Sequence, residues 1–381
     1  MGFARYEVLL ANAAGTQIIA DPIGAADAGS AARGWTSIQM KPRHNEVGYG
    51  ELTAVATPAV LDAIYTPDVR VLVRRTDPIT GAVSIVMSGP VEQPSNGFEA
   101  SRDGVDGYGL VTVPFADDLV WAAYRLVYPN PAQASTGQTV ARYSISAVNP
   151  ETAMYALANL NAGPGALAAR RVTGLTMAAS AGLMPGVTVT ASYTRDTVLT
   201  DALRDVSRLA GGAGLGFRVV QSGIAGTQFQ VFAPVDRSAS VVFSRPLGNI
   251  SKITYAQAAP TVTVAIVGDA TAGTGRVIKE RINTDAHTAG WVRREAFVDA
   301  RGAANADELD QAGDEALDDG GPQTRFAFEA IETPQTRYGG DYHRGDVVSA
   351  QPYPGGPFVS ALVLGADITV TADKGEKVVP I

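Results

Sequence analysis

The sequence predicts a mainly β protein with α+β insertions, in which two strand-rich blocks flank a mixed centre. Three observations predict it. Short runs of alternating apolar and polar residues recur in the first and last thirds, each bounded by turn residues. The 41 glycines and 22 prolines show no repeat period, which supplies many turns and excludes a collagen-like chain. Apart from a short helix after Pro58, helical periodicity with end signals is found in the centre and in one acidic segment. A chain of 381 residues, 46% hydrophobic, has material for about two to three domains. The composition shifts divide it into residues 1–132, 133–238 and 239–381.

The first block is read as strands. Residues 6–10 and 16–19 flank the turn Asn12-Ala-Ala-Gly15, and strands at 35–40 and 50–56 follow. A short helix follows Pro58, with Val60, Leu61 and Ile64 on one side. Residues 69–75 alternate apolar and basic, turn at Asp77-Pro-Ile-Thr-Gly81 and return over 83–87 to Gly89-Pro90, the clearest hairpin in the chain. Its arginines are expected on a solvated strand face. Residues 109–114 form a further strand and 119–126 an amphipathic piece, and Tyr128-Pro-Asn-Pro131 ends the block. Strands at this spacing suggest a small sandwich or barrel.

The centre changes character. Asn149 is placed to cap a helix with Pro150 at its first position, and Ala153, Met154, Leu157 and Leu160 form its apolar face. Gly163-Pro164 stops it. A second helix runs from about 197 to 209, with Leu199, Leu203, Val206 and Leu209 inward, and the glycines at 211–214 end it. A strand–turn–strand over 215–232 completes a small α+β module.

The last block returns to strands at 240–244, 261–267, 276–282, 291–298, 325–331, 346–349 and 358–371. Between the fourth and fifth lies an acidic insertion, a helix at about 304–319. Asn305 is its N-cap, and Leu309, Ala312, Ala316 and Leu317 form its apolar stripe. Asp307, Glu308, Asp310, Asp314, Glu315, Asp318 and Asp319 crowd it without one basic residue. They account for nearly the whole net charge of −8. The plain reading is a solvated helix face; the sharper ones are an acidic interface, a wall that repels DNA, or a cation-binding surface.

Several chemistries are excluded. With no cysteine there is no disulfide, thiolate nucleophile or cysteine-held metal. His44, His287 and His343 lie too far apart in sequence to suggest a metal site or triad. The loop Gly268-Asp-Ala-Thr-Ala-Gly-Thr-Gly275 leads into a strand rather than a helix, so it reads as a hairpin loop and not a phosphate cradle. Arg344-Gly-Asp346 reads as a turn entering a strand rather than an adhesive tripeptide. Asp103 and Asp106 sit in a turn that lacks the further oxygen ligands of a calcium loop. No Gly-x-Ser-x-Gly elbow exists and no carboxylate pair stands out, so no catalytic, cofactor or metal residue is assigned. No basic patch is present to bind nucleic acid, no apolar window is long enough to span a membrane, and the N-terminus lacks the pattern of a signal peptide. Charged residues make up only 18%, which suggests a surface partly covered by partner subunits.

One ordered series of short signatures carries more. Ser88-Gly-Pro-Val91, Arg125-Leu-Val-Tyr-Pro-Asn-Pro131, Ala169-Arg-Arg-Val-Thr-Gly-Leu175 and Gly214-Leu-Gly-Phe217 are followed by Gln230-Val-Phe-Ala-Pro-Val-Asp-Arg-Ser238 and Leu247-Gly-Asn-Ile250. Trp291-Val-Arg-Arg-Glu-Ala-Phe-Val-Asp299 and Tyr338-Gly-Gly-Asp-Tyr-His-Arg-Gly-Asp346 close the series. In this order the chain resembles the tail hub or minor tail proteins of siphophages, particularly those infecting actinobacteria.

That resemblance implies two tail-tube-like β-barrel domains with smaller mixed domains between or inserted. Three copies would form a pseudo-sixfold ring at the distal end of the tail, with no enzymatic activity and no cofactor. Implied partners are further copies of itself as a homotrimer, distal tail and tail tube proteins, other minor tail or fibre proteins, and the tape measure protein. In such a ring the acidic residues would line an interface or the lumen. The 69–75 arginines would meet acids of a neighbour or face solvent. The chain stops at Ile381, so no fibre, peptidase or lysozyme-like extension is expected. The alternatives are a carbohydrate-binding tail protein, for which Tyr338, Tyr342 and Tyr353 are the aromatic candidates, and a cell-wall hydrolase.

Overall fold

A computed structural model describes residues 5–26, 34–92, 109–211, 214–271, 275–301, 303, 305–331, 333, 335–371 and 375–381. Asp103 and Asp106 therefore lie outside the described residues, as do residues 272–274 of the glycine-rich loop and residue 304 at the expected start of the acidic helix.

The first third runs β1 (Arg5–Ala11), β2 (Ile18–Ala26), β3 (Trp35–Lys41), β4 (Tyr49–Val55), α1 (Pro58–Ile64), β5 (Arg70–Thr76), β6 (Val83–Pro90) and β7 (Leu110–Ala116). Alternation puts Tyr6, Val8 and Leu10 on one face of β1 and Leu9 and Ala11 on the other, and both faces are buried. β1 is accordingly an interior strand of an antiparallel sheet of order β2–β1–β5–β6. β5 is interior too. Val71 and Val73 enter the main core, while Leu72 packs with Leu9 and Ala11 behind the sheet.

The centre comprises α2 (Val120–Ala123), β8 (Arg142–Val148), α3 (Pro150–Asn161), β9 (Leu175–Met177), β10 (Val189–Thr194), α4 (Leu199–Leu209), β11 (Gly216–Gln221) and β12 (Thr227–Phe232). Asn149 caps α3 by accepting from the Thr152 N–H, with Pro150 in the first turn. α3 and α4 pack on each other and close over the sheet β11–β12–β9. Met154, Leu157, Leu203, Val206, Phe217 and Phe229 belong to a core of its own. Strands β8 and β10, which the sequence reading omits, pair across this module.

The last third contains β13 (Val242–Phe243), β14 (Ile250–Ala258), β15 (Val264–Gly268), β16 (Ile278–Ile282), α5 (Thr284–Thr288), β17 (Glu295–Asp299) and α6 (Ala306–Asp319). β18 (Gln323–Ala330), β19 (Val347–Ala350), β20 (Val359–Leu362), β21 (Ala366–Thr371) and β22 (Gly375–Pro380) complete it. β14 and β18 form a two-stranded antiparallel ladder that runs from Ile250↔Ala330 to Ala258↔Gln323. The described residues between its strands form one inserted unit: the sheet β16–β15–β17, the short α5, and α6 laid over the sheet around Ala265, Val267, Leu309 and Leu317.

The largest sheet crosses the chain. Its order is β22–β21–β3–β4–β7, with Ile368 opposite Met40 in the β21–β3 pair. Segments 1–132 and 239–381 thus contribute strands to one sheet. They also share one core, in which Trp35, Ile38 and Phe115 join Phe243, Phe328, Tyr342 and Ile368. The Phe243 ring lies 4.4 Å from Phe328 and 5.3 Å from Tyr342, centre to centre.

The class is mainly β with helical insertions, and no sheet formed by the described residues closes into a barrel. The two large sheets meet at one corner, where Val91 bridges Phe115 and the Glu92 N–H donates to the Pro114 carbonyl at 2.8 Å. Glycine is needed there: a Cβ on Gly89 would lie 1.9 Å from the Ala116 carbonyl oxygen. Across the body, side chains rather than backbone tie β1 and β5 to β22. Tyr6 donates to Glu376 at 2.6 Å, and Arg75 grips the same carboxylate at 3.1–3.2 Å.

Candidate functional site

The acidic helix is the first candidate. Asn305 caps α6 by accepting from the Glu308 N–H at 3.0 Å, and acids in the first turn favour the positive helix end. Leu309 and Leu317 are buried on the inserted sheet. Gly313 lies between them, and a Cβ on it would come within 2.4 Å of Arg281 Cγ and 2.9 Å of Val267 Cγ2. The helix therefore sits as low as a helix can.

Its acids face bases on two sides. Toward the inserted sheet, Asp310 takes Lys279 at 3.0 Å, and Asp314 takes Arg281 in a two-pronged contact of 2.7 and 2.8 Å. Toward the central module, Glu308 meets Arg142 of β8 at 2.8 Å, while Glu315 and Asp318 approach Arg208 of α4 at 3.8 and 3.9 Å. Gln311 donates to Asp205 at 2.9 Å. Burial, then the Asp205 charge, push the Glu315 carboxyl up. Asp307, Asp318 and Asp319 are exposed. The segment is thus a strut between two modules as well as a charged face, and neighbouring bases neutralise much of it.

The second candidate is the seam between the β body and the central module, where sequence reasoning missed the key residues. Arg70 and Asp118 are fully buried and hydrogen-bonded to each other. Ser88 donates to Asp118 at 2.5 Å, Arg70 donates to Gln221 Oε1 at 3.1 Å, and Gln221 Nε2 donates to the Gly15 carbonyl at 2.6 Å. Gln221 ends β11, so the network joins the two modules. Asn45, in the left-handed region at φ 56°, reinforces the seam. It donates to Ser207 Oγ at 3.2 Å and the Leu215 carbonyl at 3.0 Å, and accepts from the Phe217 N–H at 2.8 Å. Next to it His44 packs edge-on against Phe232, and burial with the nearby Arg344 charge lowers its pKa to about 4. Two adjacent acids ahead of Leu119-Val120, and an arginine within an apolar strand, were the available signals.

The expectation for the 69–75 arginines is corrected. Arg70 and Arg75 are buried and Arg74 pairs with Glu7 at 3.2 Å, because β5 is an interior strand covered on both faces. The aromatic candidates also separate. Tyr338 and Tyr342 are buried in the shared core, and of the three only Tyr353 is exposed. Arg344-Gly-Asp346 is a turn: Gly345 has φ 87°, and Asp346 is buried against Arg237 at 2.7 Å. A cleft of about 680 Å³ opens where the three modules meet. Glu46, Asp201 and Asp318 line it, but Asp201 is paired with Arg204 and Asp318 faces Arg208. Among the described residues no cluster of three or more His, Asp or Glu could hold a metal ion, and no helix is long and apolar enough to cross a membrane.

The chain superposes on a prophage MuSo2 43 kDa tail protein from Shewanella oneidensis with a TM-score of 0.56 at 12% identity, over 98% of this chain and 97% of that one. It is similar to a tail protein from Neisseria meningitidis (TM-score 0.50, 10% identity, 98% and 95% covered). It is also similar to a chain of the Francisella PdpA–VgrG complex (TM-score 0.53, 8% identity, 100% and 57% covered). No curated protein matches the sequence. The model of the siphovirus ReqiPepy6 Gp37-like protein family matches residues 28–379, and the chain belongs to that family. That family is one of siphoviruses, and the chain shares its fold with solved tail proteins.

Proposed function

We propose that this protein is the hub of the distal tail tip, a homotrimer in which each copy offers two tube-like β modules to a ring around the DNA path. One module would be built on β1–β7 with β21 and β22, and the other on β13, β14 and β18–β20. The observation that carries this reading is the sheet crossing from β3 to β21, which hydrogen-bonds strands from both ends of the chain into one body. Three such bodies, each with two modules, would present six and match a sixfold tube without a symmetry mismatch. The ring would join the tail tube and distal tail proteins to fibres or other minor tail proteins, and the tape measure protein would end on it. A similar fold within a PdpA–VgrG complex supports assembly with other proteins. The role is mechanical rather than catalytic. With acids in excess and no basic track, the surface would let DNA pass without holding it.

The test is the symmetry and axial position of this chain in intact particles imaged by cryo-electron microscopy. Three copies in a ring at the distal end are expected. Six copies, or a position away from the tip, would overturn the reading.

A further inference from the structure

A cavity of about 140 Å³ lies in the seam, where β5, β6 and the 338–344 loop of the β body face β11 of the central module. This is far more than the roughly 10–15 Å³ that one water needs. Arg75, Arg218, His343, Arg344, Tyr338 and Glu376 line it. Three of these are arginines, and their counter-charges are unevenly supplied. Glu376 is taken by Arg75 and Tyr6. Asp346 is taken by Arg237 and by the His343 N–H. Asp117 stands 3.6 Å from Arg344. Arg218 has a hydrogen bond to the neutral Gln230 amide at 3.1 Å and the Phe232 ring 4.8 Å from its guanidinium carbon. Among the described residues no carboxylate lies within ion-pair distance of Arg218. Burial, then the Arg344 charge, pull the Arg218 guanidinium below its ordinary value, and the Asp346 carboxylate, already held by Arg237, offsets this only in part.

We propose that this cavity binds a small tetrahedral oxyanion of the phosphate or sulfate type, held between Arg218 of the central module and Arg344 of the β body. Planar guanidinium groups present paired donors that match such an anion, and the low local dielectric strengthens the contact. Because the two arginines come from different modules, the bound anion would fasten the seam.

The test titrates inorganic phosphate into the full-length chain at constant ionic strength, by calorimetry and by thermal unfolding. Saturable binding of one phosphate per chain with a rise in Tm is expected, sulfate should compete, and acetate should give neither. Arg218→Gln and Arg344→Gln should each weaken phosphate at least tenfold, and whichever variant keeps its phosphate-free Tm serves as the measure. Equal Tm rises in wild type and variant, absence of saturable heat, or binding of acetate as tight as that of phosphate would overturn the proposal.

Discussion

Arg70 carries a charge into a fully buried site, and Asp118 is what makes that tolerable. A buried pair of this kind contributes little net stability, because desolvation offsets much of the attraction, but breaking it strands a charge. Asp118→Ala should therefore cost about 3–5 kcal/mol, read as a lower urea midpoint. Arg70→Met combined with Asp118→Leu should recover most of the loss; if the double variant is as weak as the single, the stranded-charge account fails. Asp117, its neighbour, behaves differently. Burial raises its carboxyl from the ordinary 3.8 to about 6, against the pull of Arg344. Below pH 3.8 it is neutral whether folded or not. As pH climbs to about 6 the unfolded chain loses its proton first, so stability falls across that window and stays reduced above it. The decline should amount to about 3 kcal/mol. Asp117→Asn should remove that slope between pH 4 and 6 in parallel denaturation series, and an unchanged slope would show that Asp117 does not titrate there.

α6 illustrates how far a helix can be read from sequence. Its cap Asn305, its acidic first turn and the leucines at 309 and 317 announce it, and the structure places it at 306–319. Gly313, an unfavourable residue in a helix by propensity, was the unread signal: it marks where the helix touches the sheet below. Gly313→Leu should lift α6 from β15 and β16 at a cost of about 1–3 kcal/mol. Faster proteolysis within the insertion, with unchanged protection of the β body, would register this. The pairs of Asp310, Asp314, Glu315 and Asp318 on α6 are partly exposed, and each should contribute less than about 1 kcal/mol. Strands fared as their pattern allows. The 70–76 and 83–90 hairpin alternates clearly, with a local turn, and was legible. β8, β10, β14 and β22 mix polar residues into weak patterns, and distant partners specify their pairing.

At the scale of the molecule, composition gave the mainly β class, and the order of short signatures pointed to the family. The crossing of the sheet stayed hidden. Ile368 and Met40 are neighbours in space, yet nothing local to either residue encodes the other. The arrangement separates what can fold alone from what cannot. Residues 117–238 contain a core of their own and should give a dispersed, cooperatively unfolding NMR spectrum in isolation. Residues 1–132, deprived of β21 and β22, should not. The insertion is separable in the opposite sense. Ala258 and Gln323 are the last pair of the β14–β18 ladder, so replacing residues 259–322 by an Asn-Gly turn should leave circular dichroism and compactness of the remainder intact. Aggregation of that variant would mean that the strut is a folding requirement.

That same ladder has a mechanical meaning. A pull on the inserted unit enters both strands from one end and loads their hydrogen bonds singly, so they peel apart like a zipper. Strands drawn from opposite ends, as a load along β3 and β21 would draw them, resist in shear with every bond sharing the force. A tail under strain would thus yield first at a reversible fuse, and the body of the particle would hold.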